Sequence, residues 1–239
     1  MSDLYCELPA PGDLGALVSC VWEHEADEAR GRRIDPDGCV DLIWLAEQEL
    51  VVAGPDTSAQ VALLPAGRRS SGIRLRPGAA AAVLGLPASE LRNLRVPLEQ
   101  VWGAEALRLV EGLAASAPPR RLELLADAVS HRRATPDALV AAAAQHLARP
   151  RTRIAQVAAD LGVTERTLHR RTVHAVGYGP KLLARVARLQ RLRTSPGTSP
   201  AERALAAGYA HQAHMNDEVR SLTGITAVRF LEDGARERA

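Results

Sequence analysis

In "ERTLHRRTVHAV", Arg166 is followed by His169, Arg170 and His174 three, four and eight residues on, and Leu168 is the apolar residue between the first two. In a helix this spacing puts the polar side chains on one face, opposite Leu168. An arginine can donate two hydrogen bonds to a guanine edge or pair with a phosphate, so such a face suits a major groove. A second candidate face comes from "HQAHMNDEVR", through Gln212, Ala213, Asn216 and Asp217. Asp217 is an acid where a groove-facing helix would offer a cation. It would repel phosphates and at best accept from a cytosine amino group. Its alternative is a pair with Arg220 one turn on.

Short helices must carry these faces. The segment "SHRRATPDALV" offers Thr135 as N-cap, Pro136 at the first helical position and Asp137 in the first turn, which starts a helix for three reasons. "RIAQVAADLG" follows, opened by Thr152, with Ile154, Val157, Ala158 and Leu161 on its inner side. Gly162 then permits a tight turn, Val163 fills the angle, and Thr164 caps the helix that presents Arg166. The same grammar recurs in "TSPAERALAAGYAHQAHM". Ser199 and Glu202 form a capping box around Pro200, Ala204 and Gly208 repeat the spacing of Ala158 and Gly162, and Met215 takes the plug position of Leu168. Between the units, "YGPKLLARVARLQRLR" is a longer helix opened by Pro180. Leu182, Val186 and Leu189 point inward, leaving Lys181, Arg185, Arg188 and Arg191 outside. Two helix-turn-helix units on one rigid helix can place both reading helices about one DNA turn (~34 Å) apart.

Residues 134–232 resemble the DNA-binding domain of AraC/XylS-type transcription regulators, through "IAQVAADLGVTERTLHRR", "AVGYGPKLLARVARLQR", "ALAAGYAHQAHM" and "LTGIT". The resemblance implies seven helices with two such units. It puts base contacts on Arg166, His169 and Arg170 in the first and on Gln212, Ala213, Asn216 and Asp217 in the second. Arg170 matches a family arginine, whereas Asp217 replaces one. Thr172 and Val219 stand where the family usually has Phe, and Ala227 where Pro is common. The first unit is therefore expected to dominate binding. Residues 1–130 are similar to the domain that precedes this module in some actinobacterial regulators, through "PDGCVDLIW", "RLRPGAAAAVLGLPASEL" and "VPLEQVWG".

Charge divides the chain at the same place. Residues 1–133 hold 14 Arg against 19 Asp and Glu, and residues 134–239 hold 15 Arg and Lys181 against 9 acids. An acidic half thus precedes a basic half suited to a polyanion. No run is long and apolar enough to span a bilayer, and "MSDLYCELPAPG" lacks the features of a secretory signal, so a cytoplasmic protein is expected. Cys6, Cys20 and Cys39 are odd in number and widely spaced, which points to buried thiols and not to a disulfide framework or zinc site.

The acidic half changes grammar. "ALVSCVWEHEA", "RRIDP", "CVDLIWLA", "ELVVAG" and "SGIRLRP" read as short strands separated by Pro-Asp-Gly, Gly-Pro-Asp and Ala-Gly turns, with Asp37-Gly38 as a hairpin turn. Helical segments follow from "AAAAVLGL" to "RRLELLADAVSHR". The expected fold is α+β: a β-rich sheet or barrel domain with trailing helices over residues 1–133, then an all-α domain over residues 134–239. Asp35, Asp37, Asp41, Arg74 and Arg76 are candidate ligand residues, or else Asp-to-Arg pairs that brace the sheet. Cys39 has no activating base beside it.

No metal-spaced His and Cys set, phosphate loop or nucleophile motif occurs, so no cofactor and no catalytic residue are expected. The expected partners are double-stranded DNA, a small-molecule effector, a second copy of the chain and RNA polymerase, without a membrane. Two other classes compete: a ligand-binding or scaffold protein whose DNA module has decayed, and a DNA alkyl-transfer repair protein using Cys39.

Overall fold

The structure is a computed structural model that describes residues 4–236. Its N-terminal part holds eight strands: β1 (Leu4–Pro9), β2 (Val18–Glu25), β3 (Arg30–Ile34), β4 (Val40–Leu45), β5 (Glu49–Ala53), β6 (Gln60–Leu64), β7 (Arg69–Leu75) and β8 (Arg95–Pro97). Six form an antiparallel sheet in the order β1-β2-β7-β4-β5-β8, and β3 pairs with β6 as a separate ribbon. Alternation decides which face is buried. Val40, Leu42 and Trp44 of β4 point to the core with Val21, Ile73 and Val52, while Asp41 and Ile43 point the other way. The core face is covered by α1 (Ala80–Leu84), α2 (Glu99–Trp102), α3 (Ala104–Ala114) and α4 (Pro118–His131), which add Val83, Trp102, Leu113, Leu125 and Val129.

Seven helices follow: α5 (Ala138–Leu147), α6 (Ile154–Asp160), α7 (Glu165–Val176), α8 (Pro180–Thr194), α9 (Pro200–Ala207), α10 (Gln212–Thr223) and α11 (Ala227–Arg236). The fold is α+β. Two further cores lie here. One joins α5, α6, α7 and the start of α8 around Val157, Leu168, Tyr178 and Val186; the other joins the end of α8 with α9 to α11 around Leu189, Tyr209, Met215 and Phe230. Thr172 and Val219, which stand where the family usually has Phe, are fully buried, and the Thr172 hydroxyl donates back to Leu168 O at 2.8 Å. Among the described residues no helix is long and apolar enough to cross a membrane.

Several local expectations are corrected. Asp37-Gly38 is not a hairpin turn: β3 leaves the main sheet for β6, and Asp37 and Gly38 connect it to β4, with Asp37 accepting from Cys39 N at 2.8 Å. The hairpin between β4 and β5 turns at Ala46 and Glu47, both at positive φ (50° and 60°). Its strain is offset by Arg121, which meets Glu47 at 2.6 Å, and by Ser70, which accepts from Ala46 N at 3.0 Å. Thr152 does not cap α6, whose N-cap is Arg153; its hydroxyl instead closes the preceding loop on His146 O and Arg149 O. Cys6 is exposed and not a buried thiol, because β1 is an edge strand with every residue exposed.

Asp137, not Thr135, caps α5. Its carboxylate accepts from Val140 N at 3.1 Å and takes a two-point pair from Arg171 of α7 at 2.8 and 2.6 Å. Burial works against the charge, but Arg171 and the helix N–H groups outweigh it and hold the Asp137 carboxyl below the usual range. Its contribution is therefore complete above the unfolded value of about 3.9 and fades as pH falls through the lower folded value. Asp137→Ala is expected to cost about 1–2 kcal/mol at neutral pH in chemical denaturation, since it removes a cap and a partly solvated ion pair. The difference from wild type should shrink below about pH 4; a pH-independent difference contradicts the assignment.

Candidate nucleic-acid interface

The two small-residue turns predicted from Ala158/Gly162 and Ala204/Gly208 are made by the same hydrogen bonds. Val163 N donates to Ala158 O and Gly162 N to Ala159 O at 2.9 and 3.0 Å; Tyr209 N donates to Ala204 O and Gly208 N to Leu205 O at 2.9 and 3.1 Å. This is the paired closure of a helix end that needs a left-handed residue, supplied by Gly162 (φ 67°) and Gly208 (φ 92°). The next helix follows in each case. Thr164 caps α7 by accepting from Thr167 N, and His211 caps α10 by accepting from His214 N through its ring. Leu168 and Met215 are fully buried plugs, so the opposite side of each helix is turned out.

On α7 that side carries Arg166, His169 and Arg170, all exposed. They make no hydrogen bond or ion pair among the described residues. His169 lies over Gly179 at the start of α8, where an added Cβ would stand 2.7 Å from its Nε2 and would push the exposed imidazole aside. Lys181 is exposed two residues further on. His174 is exposed too, but it turns toward the sheet part of the chain. With Arg171, Gly78, Ala81, Ala82 and Thr135 it lines a cleft of about 380 Å³.

On α10, Gln212, Ala213, Asn216 and Asp217 are all exposed. Gln212, Asn216 and Asp217 share a hollow with Arg220, Thr226 and the start of α11 at Ala227 and Val228. Asp217 and Arg220 form no ion pair among the described residues. Arg220 is thus an exposed cation on the outer side of α10, which sequence reasoning used only as a partner for Asp217.

Three of the four α8 cations expected outside are engaged within the protein. Arg185 and Arg188 converge on the buried carboxylate of Glu218 in α10 at 3.1 and 2.8 Å, and Arg191 donates to Ala207 O and to Ala148 O. Burial lowers the Arg188 pKa, but the Glu218 carboxylate more than reverses this and raises it; the guanidinium also covers the Tyr209 ring at 5.1 Å. Glu218 pins α10 to α8, and no local sequence signal marked it.

The candidate ligand residues of the sheet are also engaged. Arg74 and Asp41 are cross-strand neighbours, joined at 3.3 Å, and Arg74 also meets Glu7 and Asp37 at 2.9 and 3.5 Å. Trp22 Nε1 donates to Asp41 at 2.6 Å. Asp35 takes Arg33 and Arg193, and Arg76 donates to Gly15 O at 2.7 Å. Burial pushes the Cys39 thiol well above its ordinary value, with Asp37 and Asp41 adding to the effect, which leaves little thiolate to act as a nucleophile.

Two capped helices, each following a tight glycine turn and each with a polar outer face, make two units of helix-turn-helix form. Residues 157–233 match the family model of a helix-turn-helix domain, and residues 7–97 match that of a domain of unknown function, DUF6597. The C-terminal region thus carries a helix-turn-helix domain. Among solved structures, it is similar to an apo variant of ToxT from Vibrio cholerae strain SCE256, with 12% identity over 91% of this chain and 97% of that one and a TM-score of 0.46. ToxT from Vibrio cholerae O395 aligns with 10% identity over 89% and 95% of the two chains, with a TM-score of 0.46. No curated protein matches the sequence at a comparable level.

Proposed function

We propose that the protein reads DNA with both α7 and α10, in adjacent major grooves, and that α7 dominates through Arg166, His169 and Arg170. One observation carries this reading. These side chains make no hydrogen bond or ion pair among the described residues, while neighbouring Arg171, Arg185, Arg188 and Arg191 are all engaged inside the fold. Lys181 then serves the phosphate backbone, and Gln212, Ala213 and Asn216 provide the second, weaker contact; His174, in the cleft toward the sheet part, is no part of this face. Residues 1–133 act as a sensor or dimerisation domain and residues 134–239 as the reader. Binding of a small-molecule effector, or self-association, sets whether both helices engage, and the DNA-bound form then contacts RNA polymerase.

Asp217 limits the second contact. Exposed in a shallow hollow and unpaired with Arg220, it places a negative charge where phosphates approach. Asp217→Arg is expected to tighten specific binding by about 1–3 kcal/mol, the worth of one restored arginine contact. Titration of labelled duplex at fixed salt measures it. Unchanged affinity excludes repulsion by Asp217.

A further inference from the structure

Four consecutive residues between β3 and β4 lie along α8, the helix that joins the two units. Gly38 is nearest its start: a Cβ there would meet Leu183 Cδ1 and the Tyr178 hydroxyl at 3.4 Å. Pro36 O accepts from Gln190 Nε2 at 2.6 Å, and Asp35 accepts from Arg193 Nη2 at 2.6 Å. The segment therefore runs antiparallel to α8 from residue 193 back to residue 183, about 15 Å at the helical rise. Its two ends meet different cores. Tyr178 and Leu183 belong to the core of α5 to α7, whereas the Arg193 guanidinium lies 5.3 Å from the ring of Phe230, in the core of α9 to α11.

Other contacts repeat the division. Pro55 and Ala88 crowd Gly177 at the end of α7, and Val140 of α5 packs on Gly78. On the second unit, Ala59 N donates to Leu222 O at 2.7 Å, and Arg33 reaches Asp233 of α11 at 3.1 Å. The Asp35 side chain is 2% exposed and ties Arg33 to Arg193. It is the most deeply buried charge in this seam, and its two partners lead to α8 and, through Arg33, to α11.

We propose that Asp35–Gly38 is a splint on α8, and that Asp35 is the positioning residue through which the sheet domain fixes α10 relative to α7. This rests on the reading that both helices engage DNA, because a fixed relation between them then fixes the separation of the two DNA boxes. Asp35 touches no base. It acts through Arg193 and Arg33, and the segment first considered for ligand binding is a spacing determinant. Without the splint, the second unit is held by α8, the Glu218 cluster and the Ala59–Leu222 hydrogen bond, so α10 samples a wider range of positions. The linked units then lose part of the gain from binding together.

The test uses the full chain with Cys6→Ser and spin labels at Ala155→Cys and Ala206→Cys, exposed positions on α6 and α9 outside the reading faces. Pulsed dipolar spectroscopy without DNA is expected to give one narrow distance distribution, broadened by Asp35→Asn and less so by Gln190→Ala. Circular dichroism confirms that each variant is folded at the measuring temperature. In the DNA arm, Asp35→Asn is expected to keep its affinity for a single first box, lose roughly tenfold on the two-box site and tolerate altered box spacing better than wild type. An unchanged distance distribution in both folded variants overturns the splint, as does a uniform loss on single-box and two-box DNA. If the wild-type chain binds no DNA, the reading of both helices fails, and the spin-label distances still decide the splint.

Discussion

Arg170→Ala is expected to weaken binding of specific duplex by about 1–3 kcal/mol, roughly 5- to 150-fold, and to relax base preference at one position of the site. The residue is exposed on α7, two positions after the buried plug Leu168 and beside Arg166 and His169. Because it makes no hydrogen bond or ion pair among the described residues, the change removes a donor without disturbing the fold. Thermal stability should stay within about 0.5 kcal/mol of wild type, as for other surface changes. Equal loss on every sequence would make Arg170 a phosphate contact instead. A loss of stability together with affinity would mean that the residue is structural.

Glu218→Gln has the opposite profile. The carboxylate is 7% exposed and accepts from Arg185 and from both Nε and Nη2 of Arg188, with His214 Nε2 at 3.7 Å. Removing one member of a fully buried pair costs about 3–5 kcal/mol; with Arg185 and Arg188 partly solvated, about 2 kcal/mol is expected. The second effect is on DNA. Two guanidiniums freed from Glu218 become available to phosphates, so the dependence of log affinity on log salt should steepen by about 1–2. Denaturation and salt titration of the same variant check both. An unchanged melting curve and an unchanged salt slope would show that the cluster holds neither α10 nor the arginines.

What could be read in the sequence was local. The Ser199–Glu202 capping box, the Thr164 cap and the two glycine turns depend on residues within about one helical turn, and each forms as its spacing implies. Long-range partners decided the rest. Thr135 and Asp137 both suit a helix cap, and Asp137 takes the role because its carboxylate also reaches Arg171, 34 residues on. Asp37-Gly38 is a good turn dipeptide, yet β4 pairs with β5 and β7, and the actual hairpin uses Ala46 and Glu47, which carry no turn signal. The strands β1, β6 and β8 lie at an edge or in the ribbon, where nothing forces alternation.

The candidate site divides the same way. The exposed faces of α7 and α10 follow from helical period and a known plug position. The engagement of Arg185, Arg188 and Arg191 depends on Glu218, Ala207 and Ala148, which the chain brings to α8 only on folding. Asp35 was visible as a charged residue beside an apolar strand, but its partner Arg193 is 158 residues away.

Selection of bound sequences from a random duplex pool, with wild type, Arg170→Ala and Asp217→Arg in parallel, tests the central claim most directly. Two boxes about one DNA turn apart are expected for wild type, with the α7 box lost in Arg170→Ala and the α10 box sharpened in Asp217→Arg. A single box unaffected by Asp217→Arg, or no enriched sequence for any of the three, would contradict a regulator that reads DNA with both helices.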